Sequence, residues 1–212
     1  MALRNRVTPF GEIVAVAGRG LLMGNRGVLH DARRTLVRDS QVRRWIACRL
    51  EFRGRHRAIM TPGRWTELFF LDEATALAAG HRPCAECRHA DYRRFQTAWQ
   101  LAAATSGAGG PDASADAMDA VLQPERRVRP WVKRTYLAEF ASLPDGAYVA
   151  LDGQAWLVWR DSILAWSPTG YTRRAARPSA GRVTVLTPPS IVAVLRAGYQ
   201  ADVHPSAASA AP

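Results

Sequence analysis

The chain has 212 residues, enough for one large domain or two small ones, each with a real core. Apolar residues make up 48% and charged residues 22%, a globular composition that excludes disordered and fibrous classes. The formal net charge is +11, and it is concentrated: residues 19–64 carry twelve arginines against only Asp31, Asp39 and Glu51 as acids. A basic excess confined to one segment points to a polyanionic partner. Codon supply can explain a chain with a single lysine, Lys133, but not the scarcity of acids in that segment. The N-terminal stretch lacks an apolar run of signal-peptide length, and no stretch approaches the ~20 apolar residues of a membrane span, so the chain is read as cytoplasmic. Three cysteines, an odd number, argue against a disulfide framework.

Residues 1–70 read as short strands with tight turns. Asn25 and Gly27 are turn formers, and a hairpin is expected about Ala32-Arg33. A second hairpin is expected from strands 45–52 and 56–60, joined through Arg53-Gly54-Arg55, followed by a strand at 66–71. Asp72 then caps a first helix that Gly80 closes, and Pro83 prevents its continuation. A second helix is expected over about 85–104, with Tyr92, Phe95, Trp99 and Ala102 on one face. Residues 105–114 have linker composition, and Ser114 caps a short helix at 115–123.

The C-terminal part predicts a meander of three strands with Asp152-Gly153 and Asp161-Ser162 turns, then a strand at 182–186. Thr187-Pro188 opens a last helix that Gly198 ends. Trp156 and Trp159 have opposite strand parity, which favours core packing over a stacking platform for bases.

Chemistry enters at Cys84 and Cys87, a C-x2-C pair at the mouth of the second helix. That spacing turns two sulfurs toward one point and suits a tetrahedral zinc ion, while the helix start favours thiolates. A thioredoxin-like redox pair would need a strand leading directly into the motif, whereas here a capped helix and Gly80 precede it. Four histidines are candidates for a further ligand. His30 could approach across a sheet, His81 and His89 flank the cysteine pair, and His56 lies on the expected hairpin.

Residues 67–87, ELFFLDEATALAAGHRPCAEC, resemble the zinc-binding domain of the Ada methylphosphotriester repair family. The matching residues are Phe69, Phe70, Glu73, Ala74, Leu77–Gly80, Arg82, Pro83, Cys84 and Cys87, and with the upstream hairpin the likeness spans about residues 45–95. The resemblance implies zinc as a staple, DNA as the partner and repair as the setting. It departs in one respect: the family's upstream half is C-x3-C, whereas this chain offers only Cys48 there, so a four-sulfur site within one chain is excluded. The methyl-transfer reaction is not carried over. The expected site is Zn2+ held by Cys48, Cys84, Cys87 and His30.

The expected fold class is α+β: a zinc-stapled hairpin and helix module over 1–104, a linker with a short helix over 105–130, a small antiparallel β domain with a terminal helix over 131–204, and a tail over 205–212. Arg26, Arg33, Arg34, Arg43, Arg44, Arg53, Arg55 and Arg57 are the expected nucleic-acid contacts, since guanidinium forks suit phosphates. The function so read is zinc-containing DNA binding. The alternatives are a nuclease or lesion-processing enzyme with a pocket between the two parts, or a protein-interaction module. No phosphate-cradling glycine loop, H-E-x-x-H or G-x-S-x-G motif is present.

Overall fold

Glycine, proline and asparagine punctuate the first seventy residues too often for long elements, so the strands they leave are short. The computed structural model describes residues 2–54, 58–106 and 112–211. Its elements in chain order are β1 (Arg4–Val7), β2 (Ile13–Ala15), β3 (Leu22–Asn25), β4 (Ile46–Arg49), β5 (Leu68–Phe70), α1 (Glu73–Ala78), β6 (Arg82–Pro83) and α2 (His89–Ser106). There follow α3 (Ala115–Arg126), β7 (Arg127–Arg129), β8 (Val132–Lys133), β9 (Tyr136–Glu139), β10 (Tyr148–Leu151), β11 (Gln154–Trp159) and β12 (Ser162–Ser167). The chain ends in β13 (Gly170–Ala176), β14 (Arg182–Val185), α4 (Pro189–Arg196) and α5 (Ser206–Ser209). The class is α+β.

The strands form a mixed sheet in the order β2-β1-β5-β3-β4-β6, an antiparallel sheet in the order β13-β12-β11-β10-β14-β9, and a small β7-β8 ribbon. Among the described residues the expected pairing of 45–52 with 56–60 is not seen. One edge of β4 is taken by β3 and the other by β6, and Ala58–Met60 are not strand. With both edges used, no position remains for a hairpin partner. Arg55, His56 and Arg57 lie outside the described residues. The turn expected about Ala32-Arg33 is closed by Asp31, whose Oδ1 accepts the N–H groups of Arg33 and Thr35 at 2.9 Å, with Arg34 in the left-handed region.

The meander forms as expected across β10, β11 and β12. Asp152 and Gly153 both take positive φ, the signature of a tight hairpin. The second turn falls one residue earlier than expected, with Arg160 in the left-handed region. The predicted stripe of α2 is buried throughout: Tyr92, Phe95, Trp99 and Ala102. It packs with Val149, Trp156 and Val158 of the second sheet and with Ile191 and Leu195 of α4. The other sheet face, Ala155, Leu157 and Leu164, meets Leu71, Ala74 and Ala78. Helices from the N-terminal part therefore cover both faces of the C-terminal sheet. Residues 205–212, expected as a tail, instead supply α5, and the carbonyl of Ala211 accepts the N–H of Arg174. Among the described residues no helix is long and apolar enough to cross a membrane.

Strand β3 and the residues leading into it approach β5 closely. A Cβ at Gly20 would lie 2.1 Å from the carbonyl oxygen of Phe70, and one at Gly24 would lie 2.3 Å from the Phe70 ring. Gly20→Ala is expected to push β3 from β5 and cost at least roughly 1–3 kcal/mol. Urea denaturation measures this, and an unchanged midpoint would contradict it.

Candidate metal centre

The parallel pairing of β6 with β4 assembles the centre. Ile46 sits beside Arg82 and Ala47 beside Pro83, so the next step along both strands sets Cys48 beside Cys84. The N–H of Cys84 donates to the carbonyl of Ala47 at 3.0 Å and holds the knuckle to the strand. The chain then turns, with the N–H of Arg88 donating to the carbonyl of Cys84 at 3.1 Å, and Cys87 comes back toward both. The three sulfurs lie within 4.8 Å of one another, and all three thiols are free.

A tetrahedral zinc with bonds of about 2.3 Å holds its sulfurs roughly 3.8 Å apart, so this donor set fits a metal ion. The electrostatics agree. Cys84 is held far below the usual thiol range because Cys48 and Cys87 direct hydrogen bonds to it, helped by the backbone N–H groups of Cys87 and Glu86. Cys48 is pushed up by the same contact with Cys84, since three crowded sulfurs cannot all carry charge without a cation. The N–H of Arg49 points at the Cys87 sulfur. Backbone donors aimed at thiolates are the supporting shell that metal knuckles need.

Two buried arginines clamp the knuckle from either side, and neither was anticipated in that role. Before it, Arg82 pairs with Asp119 of α3 at 2.7 Å. After it, Arg88 pairs with Glu73 of α1 at 2.8 Å and with Asp91 of α2 at 2.8 Å. The near-symmetric string Arg82-Pro83-Cys84-Ala85-Glu86-Cys87-Arg88 was the available signal, but sequence alone does not tell an inward arginine from a solvated one.

His30 does not join the sulfurs. Its Nδ1 shares a 2.6 Å hydrogen bond with Thr66 Oγ1 and its Nε2 lies 3.2 Å from the carbonyl of Thr61, so both ring nitrogens are used. His81 is also elsewhere: it is buried against Trp45 and Phe70, and its Nε2 accepts from Arg26 Nε at 3.2 Å. Burial, then the Arg26 charge, holds His81 well below its usual pKa, and so neutral. His89 is exposed at the start of α2. Among the described residues the group able to hold a metal comprises the three cysteines alone.

All three sulfurs line a cleft of about 620 Å³. Its walls include Arg6, Arg19 and Arg49, the aromatic rings of Trp65 and Phe69, and the carboxylate-bearing Glu67. The cleft lies wholly within residues 6–87 and not between the two halves of the chain. A metal held by the cysteines would face this opening with its fourth position.

The expected arginine surface divides. Arg33, Arg34, Arg43, Arg44 and Arg53 are exposed, as are Arg38, Arg49 and Arg64. None of these makes an ion pair with another described residue. Arg26 is the exception: only 1% of it is exposed, and it stacks 4.0 Å over the Trp45 ring. A turn residue beside Gly27 looked like surface, but the loop over 38–45 folds over it, with the N–H of Gln41 donating to the Arg26 carbonyl at 2.8 Å. Arg55 and Arg57 lie outside the described residues.

No family model, curated protein or solved structure matches this chain.

Proposed function

We propose that the chain is a zinc-containing DNA-binding protein in which Cys48, Cys84 and Cys87 hold the ion and exposed arginines of the same segment grip the phosphate backbone. The observation that carries this reading is the set of exposed arginines without acidic partners, from Arg33 to Arg53, on either side of the cysteine-bearing strand β4. Guanidinium groups without intramolecular counterions are available to phosphates. The repair setting rests on the resemblance of residues 45–95 to the Ada zinc-binding domain.

Salt dependence tests it. If Arg33, Arg34, Arg43, Arg44 and Arg53 each neutralise one phosphate, log Kobs for an unrelated duplex falls with log salt at a slope of about −4 to −5. Arg43→Ala with Arg44→Ala is expected to make that slope shallower by about 2. Absence of duplex binding at low ionic strength, or a flat response to salt, sinks the reading.

A second reading is favoured by one observation: the cysteines open onto a cleft, and among the described residues no fourth protein ligand joins them. Three protein ligands with an open position characterise catalytic zinc, where bound water becomes a nucleophile near neutral pH. Of the three carboxylates that line the same cleft, Glu51, Glu67 and Glu86, Glu67 is the buried one, its Oε2 accepting the N–H of Met60 at 2.7 Å, and in this reading it orients such a water. This reading makes the protein a nucleic-acid-processing enzyme. Metal-dependent nicking or base release that Glu67→Gln abolishes, while duplex affinity is unchanged, selects it over simple binding.

A further inference from the structure

A second cavity, of about 330 Å³, lies away from the cysteines, where the β7-β8 ribbon leans over the N-terminal sheet. Its lining gathers Arg4, Arg26, Arg126, Arg127 and Lys133 against two acids, Glu12 and Asp39. Three of these charges are already satisfied. Arg126 pairs with Asp119 at 3.0 Å, and Arg127 pairs with Asp39 at 2.5 Å. The other Asp39 oxygen accepts the N–H of Trp131 at 2.8 Å. Arg4, which is exposed, donates to the carbonyl of Ile13 rather than to a carboxylate, and two less exposed cations, Arg26 and Lys133, are also left without one.

Arg26 is buried, donating from Nε to His81 and from Nη1 to the carbonyl of Gly11 at 3.2 Å, while its Nη2 has no partner. A buried guanidinium without an anion is costly, and an unsatisfied buried donor adds to that cost. Lys133 donates one N–H from Nζ to the carbonyl of Ala78 at 2.6 Å, which leaves two of its three donors for another partner. Burial, then the Arg26 charge, pushes Lys133 down to about 7, the behaviour of an ammonium that lacks a counter-anion. It is the only lysine in a chain that otherwise uses arginine.

The rim supplies the rest of a ligand's outline. Trp131, in the turn of the ribbon, is 50% exposed and takes a left-handed backbone, φ 64°. The tight Pro130-Trp131 turn accounts for that backbone, and it leaves a half-exposed indole lining the cavity.

We propose that this cavity binds a nucleoside phosphate, with the phosphate between Arg26 Nη2 and Lys133 Nζ and the planar base against Trp131. An anion there completes the two unpaired cations, and base–indole stacking uses the exposed ring. The volume suits a mononucleotide unit. The inference does not depend on the metal or on the arginine surface, and the two strands in its test differ only in the 5′-phosphate, so backbone binding at the arginine surface cancels between them.

The shared chemistry has two sources, a free mononucleotide and the 5′-phosphorylated end of a single strand. Calorimetric titration of the intact protein with AMP, with inorganic phosphate, and with an oligonucleotide bearing or lacking a 5′-phosphate distinguishes them. AMP, or the phosphorylated strand alone if the strand end is the source, is expected to bind more tightly than inorganic phosphate. Lys133→Met is expected to weaken both AMP and phosphate at least tenfold, because an ionic hydrogen bond is lost. Trp131→Ala is expected to weaken AMP about fivefold or more and leave phosphate unchanged, as loss of a stacking partner would. Trp131 is half exposed, so its variant folds and keeps the test decisive even if Lys133→Met does not. Amine labelling of Lys133, read by mass spectrometry in the wild-type protein, is expected to slow when the nucleotide is bound. Failure of every nucleotide probe to bind at millimolar concentration overturns the proposal, as does affinity for inorganic phosphate equal to that for the tightest nucleotide probe, or binding of that probe that Trp131→Ala leaves unchanged.

Discussion

Cys84→Ser is expected to take the metal content of the purified protein from about one ion per chain to near zero. Cys84 is the sulfur on which the others converge, receiving hydrogen bonds from Cys48 and Cys87 and from two backbone N–H groups. A hydroxyl there removes a thiolate from a set of three, and the affinity loss is expected to exceed about 100-fold, the upper end of what losing a supporting outer partner costs. His30→Ala is expected to leave the metal content unchanged, since its ring nitrogens are committed to Thr66 and Thr61. Elemental analysis of the two variants side by side gives the answer. Equal loss in both would return His30 to the ligand set, and full retention in Cys84→Ser would remove the knuckle from it.

Asp72→Ala is expected to be the most destabilising single change outside the cysteines, costing roughly 3–5 kcal/mol. The carboxylate is fully buried, and both oxygens are in use. Oδ1 caps α1, accepting the N–H and the hydroxyl of Thr75 at 2.8 and 2.7 Å. Oδ2 accepts the Tyr171 hydroxyl at 2.6 Å and the N–H of His204 at 2.9 Å. One side chain thus ties the helix before the knuckle to β13 and to the segment leading into α5. Alanine strands four donors in a buried place, where each unmade bond carries its desolvation cost. Asn is expected to fall between, because it keeps the cap but sets an amide N–H2 against two donors. Chemical denaturation of the three proteins orders them, and an Ala variant within about 1 kcal/mol of wild type would show that the network is dispensable.

These two sites show what was legible in the sequence and what was not. The Asp72 cap, the Gly80 stop and the α2 stripe follow from local rules, and each is where the sequence places it. The two cysteines of the knuckle were legible from spacing alone, and Cys48 from the resemblance upstream. What brings Cys48 to them is the parallel β4-β6 pairing, a two-residue strand that has no periodicity to read. The same blindness misplaced the partner of β4, because a hairpin between neighbours is the default when non-local pairing is invisible. Arginine was the second difficulty. Nothing local separates Arg26, buried over Trp45, from Arg43 and Arg44, exposed just before it in the same region of the sheet. The inward arginines Arg82 and Arg126 depend on the distant Asp119, and Arg26 on His81 and the Gly11 carbonyl, and such partners are set by tertiary packing.

X-ray absorption at the metal edge of the freshly purified protein tests the central claim most directly. The account predicts one zinc per chain with three sulfurs at about 2.3 Å and one lighter donor, since the chain has only three cysteines and all three line one cleft. A folded protein without metal after expression and purification with zinc present, or a first shell with fewer than three sulfurs, would contradict it.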